Sequence, residues 1–297
     1  MRVKFFVSLA AALACLLLGS LLFAETARPP QQERQKFMPE GVVEHKAGSA
    51  TVAANDPRPL AQAVSAMREE YGWLVDYEDP PYMSDAELVD DTDPQWRASH
   101  PNAPGVRRVA GGAFKSEYQE SAGETTRGGQ EAVLRKIVSE YNRSGNPGKF
   151  TVRLEEEGRF AVVGLSIKNQ AGQDQNVTPV LDTLISVPAK QLSAGESIGA
   201  ILKELSSKSG TKVVLGTVPT NLLAQSQVTV GGEKLPARAL LLQTLDATKR
   251  PLVWRLLYDA DSQAYFLNIR IATRTMLDTF GRKTSLPIDD PSARRQN

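Results

Sequence analysis

The run SIGAILKELSSKS (residues 197–209), followed by Gly210 and then TKVVL (211–215), decides how the chain is read. Ile198, Ile201, Leu202 and Leu205 fall at i, i+3, i+4 and i+7, the spacing of one buried helical stripe. Gly195 and Glu196 lead into it, and Ser193 with Glu196 three residues on has the spacing of a capping box. Gly210 stands where a left-handed C-cap favours a residue without Cβ. The β-branched run at 211–215 reads as a strand, broken by Gly216 to Pro219. Gln227 to Val230 gives a further short strand, closed by Gly231-Gly232. Pro236 opens a second helix with Ala237, Leu240, Leu241, Thr244 and Leu245 on one face, and Lys249, Arg250 and Pro251 end it. Leu252 to Tyr258 and Ala264 to Ile269 alternate as two half-buried strands around an Asp259–Ser262 turn. Helices alternating with short strand pairs, with no βαβ crossover signature, predict α+β: two helices packed on a small mixed sheet.

The same plan recurs upstream. Leu60, Ala63, Val64 and Met67 repeat the helical stripe, Gly72 takes the cap position and Trp73 to Tyr77 the strand. Aligned on glycine, Gly72 matches Gly210, Leu60 matches Ile198, Val64 matches Leu202, Met67 matches Leu205 and Val75 matches Val213. Ala132, Val133, Leu134 and Val138 match Ala239, Leu240, Leu241 and Leu245, and strands follow at Phe150 to Leu154 and Phe160 to Ile167, with Glu157-Gly158 at their turn. One extra copy reads as duplication of a supersecondary unit. The expectation is two tandem small α+β domains, at 58–168 and 180–270, joined by a polar connector at 169–179. The second opens on a strand from Val180 to Val187 that Pro188 ends. Glu78 to Gly105 is an insertion in the first domain, followed by one longer strand from Arg107 to Glu120. Residues 25–57 read as a disordered spacer and 271–297 as a polar tail.

The order of these elements, with V-V-L, a P-x-N-L-L turn, Q-V-T-V and then P-A-R-A-L-L-L-Q-T-L, resembles the secretin and TonB short N-terminal (STN) domain. It is also similar to the related small ring-forming domains of secretin periplasmic regions. The resemblance is best over about 180–270 and looser over 58–168. It implies a periplasmic setting and a role as an adaptor or small assembly unit. No membrane barrel or secretin channel follows here, only a short polar stretch from Arg270.

Arg2 and Lys4 precede an apolar run from Phe5 to Ala24, the pattern of an export signal at 1–24. The run is long enough to remain as an N-terminal anchor, and Leu22 is larger than a small-residue cleavage motif prefers. Cys15 is the single cysteine and lies inside this run, so neither a disulfide framework nor a lipid-anchored cysteine followed by a polar linker is present.

With 35 basic and 34 acidic residues the chain has no electrostatic basis for nucleic-acid binding. His45 and His100 lie in expected loops without the neighbours that zinc sites or nucleophile–histidine pairs require. Gly111-Gly112, Gly128-Gly129 and Gly231-Gly232 belong to no phosphate-loop or dinucleotide motif, so no cofactor is expected. Glu87, Asp90, Asp91 and Asp93 lack cation-loop spacing and read as a solvated acidic loop, so no metal is expected. Glu155, Glu156 and Glu157 read as exposed charges at a hairpin end. Tyr82 and Trp96, on the inserted loop, are the leading interface candidates, with Trp73 and Tyr77 behind them because the sheet's inner face also suits these two. The sequence therefore points to an exported, non-enzymatic protein contacting envelope proteins, with membrane contact only through an uncleaved N-terminal segment. The alternative is an envelope polysaccharide-binding protein or hydrolase using the 78–105 loop.

Overall fold

The deciding stretch folds as its spacing predicts. In the computed structural model the helix runs Ala194–Ser209, Ser193 and Glu196 form the capping box, and Gly210 closes it at φ 70°. Residues 41–55, 57–120, 127–155, 158–277 and 281–289 are described; the export segment and most of the expected spacer lie outside them. Among the described residues no helix is long and apolar enough to cross a membrane. Among the described residues the fold is mixed α/β, with six helices, one seven-stranded sheet and four smaller ones.

In chain order the first half comprises β1 (Val42–Lys46), β2 (Ser49–Ala54), α1 (Pro59–Tyr71), β3 (Val75–Glu78), β4 (Leu88–Asp90), α2 (Pro94–Ser99), β5 (Arg107–Val109), β6 (Phe114–Gln119), α3 (Arg127–Arg143), β7 (Lys149–Leu154), β8 (Phe160–Lys168) and β9 (Asp174–Asn176). The second comprises β10 (Leu184–Ser193), α4 (Ala194–Ser209), β11 (Lys212–Leu215), α5 (Thr220–Gln225), β12 (Gln227–Pro236), α6 (Ala237–Ala247), β13 (Leu252–Asp259), β14 (Ala264–Ile271), β15 (Thr273–Leu277) and β16 (Lys283–Pro287).

The strand pairings recur between the halves. In the first, β2 pairs antiparallel with β6, β3 parallel with β8, and β8 antiparallel with β7. In the second, β10 pairs antiparallel with β12, β11 parallel with β14, and β14 antiparallel with β13. These triplets do not form separate sheets. They join through a parallel contact of β13 with β3 into one sheet of order β11-β14-β13-β3-β8-β7, with β9 beside β8.

That contact places Tyr77 opposite Arg255 and Glu78 opposite Leu256. Tyr77 belongs to the core built by α1 and α3, whereas Leu256 belongs to the core built by α4 and α6. Registered partners share a sheet face, so the two helix pairs cover opposite faces of one continuous sheet. Ile198, Ile201 and Leu205 are fully buried against Leu240, Leu241, Leu245, Trp254 and Leu256.

Several sequence expectations change. The spacer ends earlier than residue 57, because β1 and β2 at 42–54 join β6 in a sheet. The expected strand at 107–120 is two strands, interrupted where Gly111 passes against Pro57 and Pro59; a Cβ there would lie 2.5 Å from the Pro57 carbonyl oxygen. Val180–Asp182 is a 3₁₀ turn, and β10 continues through Pro188, which lies within a register shift between Val187 and Lys190. The tail forms the hairpin β15–β16 against α1, with Ile288 close to Gly72.

β1 contributes one buried residue, Val43, and is clamped by His45, which meets Glu70 at 3.0 Å and also Glu120. Burial opposes protonation of His45, but hydrogen bonds to Glu120 and Glu70 outweigh it and raise the pKa above its ordinary 6.5. A pKa raised on folding gives stability that is complete below the unfolded value and lost as pH climbs through the folded one. His45→Gln is expected to flatten the decline in thermal midpoint between about pH 6 and pH 8. The effect should be small, because His45 is 40% exposed. An equally steep decline in the variant would contradict the clamp.

Candidate functional site

Where the halves meet, the sheet is held by charge as well as by its ladder. Asp76, Glu78 and Asp79 are at most 1% exposed. Asp76 accepts the Trp254 N–H at 2.8 Å and pairs with Arg159 at 3.1 Å. Asp79 accepts the Tyr258 N–H at 3.0 Å and the Arg58 guanidinium at 2.7 Å, while its own N–H reaches the Leu256 carbonyl at 2.9 Å. Glu78 binds Arg238 and the Leu181 N–H, and Arg238 also reaches Asp182 at 3.2 Å and lies 5.5 Å from the Trp254 ring centre. Burial pushes the Asp76 and Glu78 carboxyls up, against the pull of Arg159 and Arg238. Truncating one member of such a pair strands the other in a dry interior.

The outer ends of the sheet are treated differently. On β11 the Ser206 hydroxyl accepts the Val213 N–H at 2.9 Å and donates its proton to the Leu202 carbonyl at 2.7 Å, with the Val213 carbonyl farther off at 3.2 Å. On β7 the Asn142 amide accepts the Phe150 N–H at 2.9 Å and donates to its carbonyl at 2.8 Å. The Glu155 N–H donates to Arg159, which sets the alternation along the β7–β8 ladder. Val152 and Leu154 consequently turn their backbone polar groups outward. In the second half Leu256 occupies the place of Val152, opposite Leu267 as Val152 is opposite Val162, and it is this edge of β13 that receives β3. β7 has a strand on one side only, with the Leu154 side chain 46% exposed beside it.

The predicted aromatic interface is largely overturned. Tyr82 is 1% exposed, because Pro80 packs against Gly164, where a Cβ would meet the proline Cδ at 2.4 Å, and the chain is turned back over the sheet. Trp73 is buried and stacks on Tyr71 with centroids 4.9 Å apart. Tyr77 stacks on Phe150 and donates to Asp79 at 2.8 Å. Trp96 alone of the four is half-exposed. It sits in a separate compact unit at 91–106, on the short helix capped by Asp93, and stacks on His100 at 4.8 Å.

Glu87 is buried, and its oxygens accept the Gly148 and Lys168 N–H groups, each at 2.8 Å. It lines a cavity of about 110 Å³ with Ser166, whose buried hydroxyl has no partner, and with Lys168, which is bound to Asp174. No histidine borders that cavity, and among the described residues no three metal-ligating side chains gather at one point. No protein-family model, curated protein or solved structure matches the chain.

Sequence reasoning missed the seam, although signals were present. Asp76 and Glu78 stand in a strand where the second half has Val214 and Gly216, and Arg238 sits in the first turn of a helix, where the dipole disfavours a cation. Each called for a buried partner. Arg238→Met should cost about 3–5 kcal/mol in urea unfolding by stranding Glu78, and adding Glu78→Gln should recover much of that. A single-variant cost under about 1 kcal/mol would contradict the seam's role.

Proposed function

We propose that this is an exported, non-enzymatic protein of the cell envelope, built by duplication of an STN-like unit, that holds a partner protein by strand addition at β7. The observation that carries this reading is the edge at Val152 and Leu154, whose counterpart on β13 already receives a strand from within the same molecule. The duplication rests on the recurring pairings. The STN likeness rests on the order helix, strand, turn, strand, helix, hairpin in α4 to β14. Export rests on the charged and apolar opening of the sequence.

The internal example defines what a partner supplies. Tyr77 to Asp79 offers β13 a ladder rung and a carboxylate for the next N–H. At β7 the Phe150 groups are already closed by Asn142, leaving a carbonyl and an N–H for Val152 and an acceptor for Leu154. An extended segment ending in Asp or Asn meets that need.

A photo-crosslinking amino acid at Leu154 is expected to form one discrete protein adduct in envelopes of the source cells. The same group at Lys203, exposed on α4, serves as the control and should give none. Leu154→Pro, which removes an outward N–H, should release the partner while leaving the circular dichroism unchanged. Indistinguishable adducts at both positions, or retention by the proline variant, would overturn the assignment.

A further inference from the structure

The two halves also serve as internal controls for each other. In the second half the Val213 N–H is accepted by the neutral Ser206 hydroxyl at 2.9 Å, which lies 3.2 Å from the Val213 carbonyl. The matching residue in the first half, four before the capping glycine in each case, is Arg68, which reaches the Val75 carbonyl at 3.3 Å. A neutral hydroxyl thus stands against this strand in one half, and Arg68 places a charge there in the other. That charge is 7% exposed.

Arg68 is not alone. Its Nη2 lies 3.0 Å from the Ser65 hydroxyl, and Arg255 of β13 places Nη1 3.2 Å from the same oxygen, so two guanidiniums converge on one small group. Arg255 is registered with Asn268 on β14, which puts Arg270, two residues on, at the same face as a diagonal neighbour. Among the described residues none of these three arginines forms an ion pair, whereas the buried Arg159 and Arg238 each hold carboxylates. Asp76, in the field of Arg68, is held by Arg159, and Glu69, in the field of both Arg68 and Arg255, offsets only part of the repulsion among the arginines. By the same β-ladder correspondence, Thr151 and Ser166 occupy the first-half places of Arg255 and Arg270. The repeat itself therefore does not require these three cations.

We infer that Arg68, Arg255, Arg270 and Ser65 form a binding site for a phosphate-class oxyanion, either free or as the phosphate of a lipid headgroup. Planar guanidinium forks match the oxygens of such an anion, and Ser65 adds a donor between them. The present state of the cluster agrees. Burial and the neighbouring Arg255 bring the Arg68 pKa down to about 10, and burial and Arg270 do the same to Arg255. An anion would relieve both terms.

Thermal unfolding and calorimetry of the full chain with inorganic phosphate, against chloride at equal ionic strength, test the site. Phosphate should raise the thermal midpoint saturably. Arg68→Ser, which installs the residue used at the matching place in the second half, should remain folded and bind phosphate at least about tenfold more weakly. Arg255→Gln should also lose the response, and without phosphate it should be at least as stable as the parent chain, because it removes a repelled cation. Sedimentation with phosphatidylglycerol vesicles, against phosphatidylcholine vesicles, separates the sources. Retention on the anionic vesicles that free phosphate competes away assigns a headgroup, whereas a phosphate response without retention assigns the free anion. Equal effects of phosphate and chloride, or an unchanged phosphate response in both variants, would overturn the inference.

Discussion

Carboxylates buried inside a β-sheet hold this fold together. Two residue pairs, Tyr77 with Arg255 and Glu78 with Leu256, make up the parallel register between β3 and β13. Beyond them the strands diverge, and Asp76 and Asp79 bridge the gap by accepting the Trp254 and Tyr258 N–H groups. A backbone carbonyl could not reach those donors, and an apolar side chain would leave them unsatisfied in a dry interior. Once carboxylates occupy those places they need cations, and Arg58, Arg159 and Arg238 supply them from three different segments. The seam thereby fixes which face of the sheet each helix pair covers.

The helices and hairpins were legible in the sequence because each is specified locally. The stripe of Ile198 to Leu205, the Ser193–Glu196 box and the glycines at 72 and 210 encode their structure within a few residues. The seam was not legible in the same way, because a carboxylate in a strand reads as solvent-facing until the opposite strand is known. Tyr82 shows the same limit. Its place on a long insertion suggested exposure, and its burial depends on Pro80 fitting against Gly164, more than eighty residues away in the chain. A glycine inside a strand pattern was the available clue. The β1–β2 hairpin and β15–β16 were missed because their strands are short and β1 and β16 are polar and largely exposed.

The halves differ most at their outer edges and in their unpaired charges. Ser206 and Asn142 close part of the outermost strands, a form of edge protection that discourages copies of the chain from extending the sheet. What remains open is narrow, around Val152 and Leu154. Likewise a hydroxyl serves in one half where an arginine stands in the other, and that arginine lies with two more that form no ion pair among the described residues. A repeated unit keeps what its fold needs, and its unshared charges mark where selection can act on binding.

The central claim is that the ionic seam makes both halves one cooperative structure. Native-state hydrogen exchange across a urea series tests it most directly, by following the slowest amides of β8 in the first half and β14 in the second. A shared seam predicts that both sets converge on one opening free energy with one urea dependence. Two distinct limiting values, with one half exchanging while the other stays protected, would show independent domains and contradict the account.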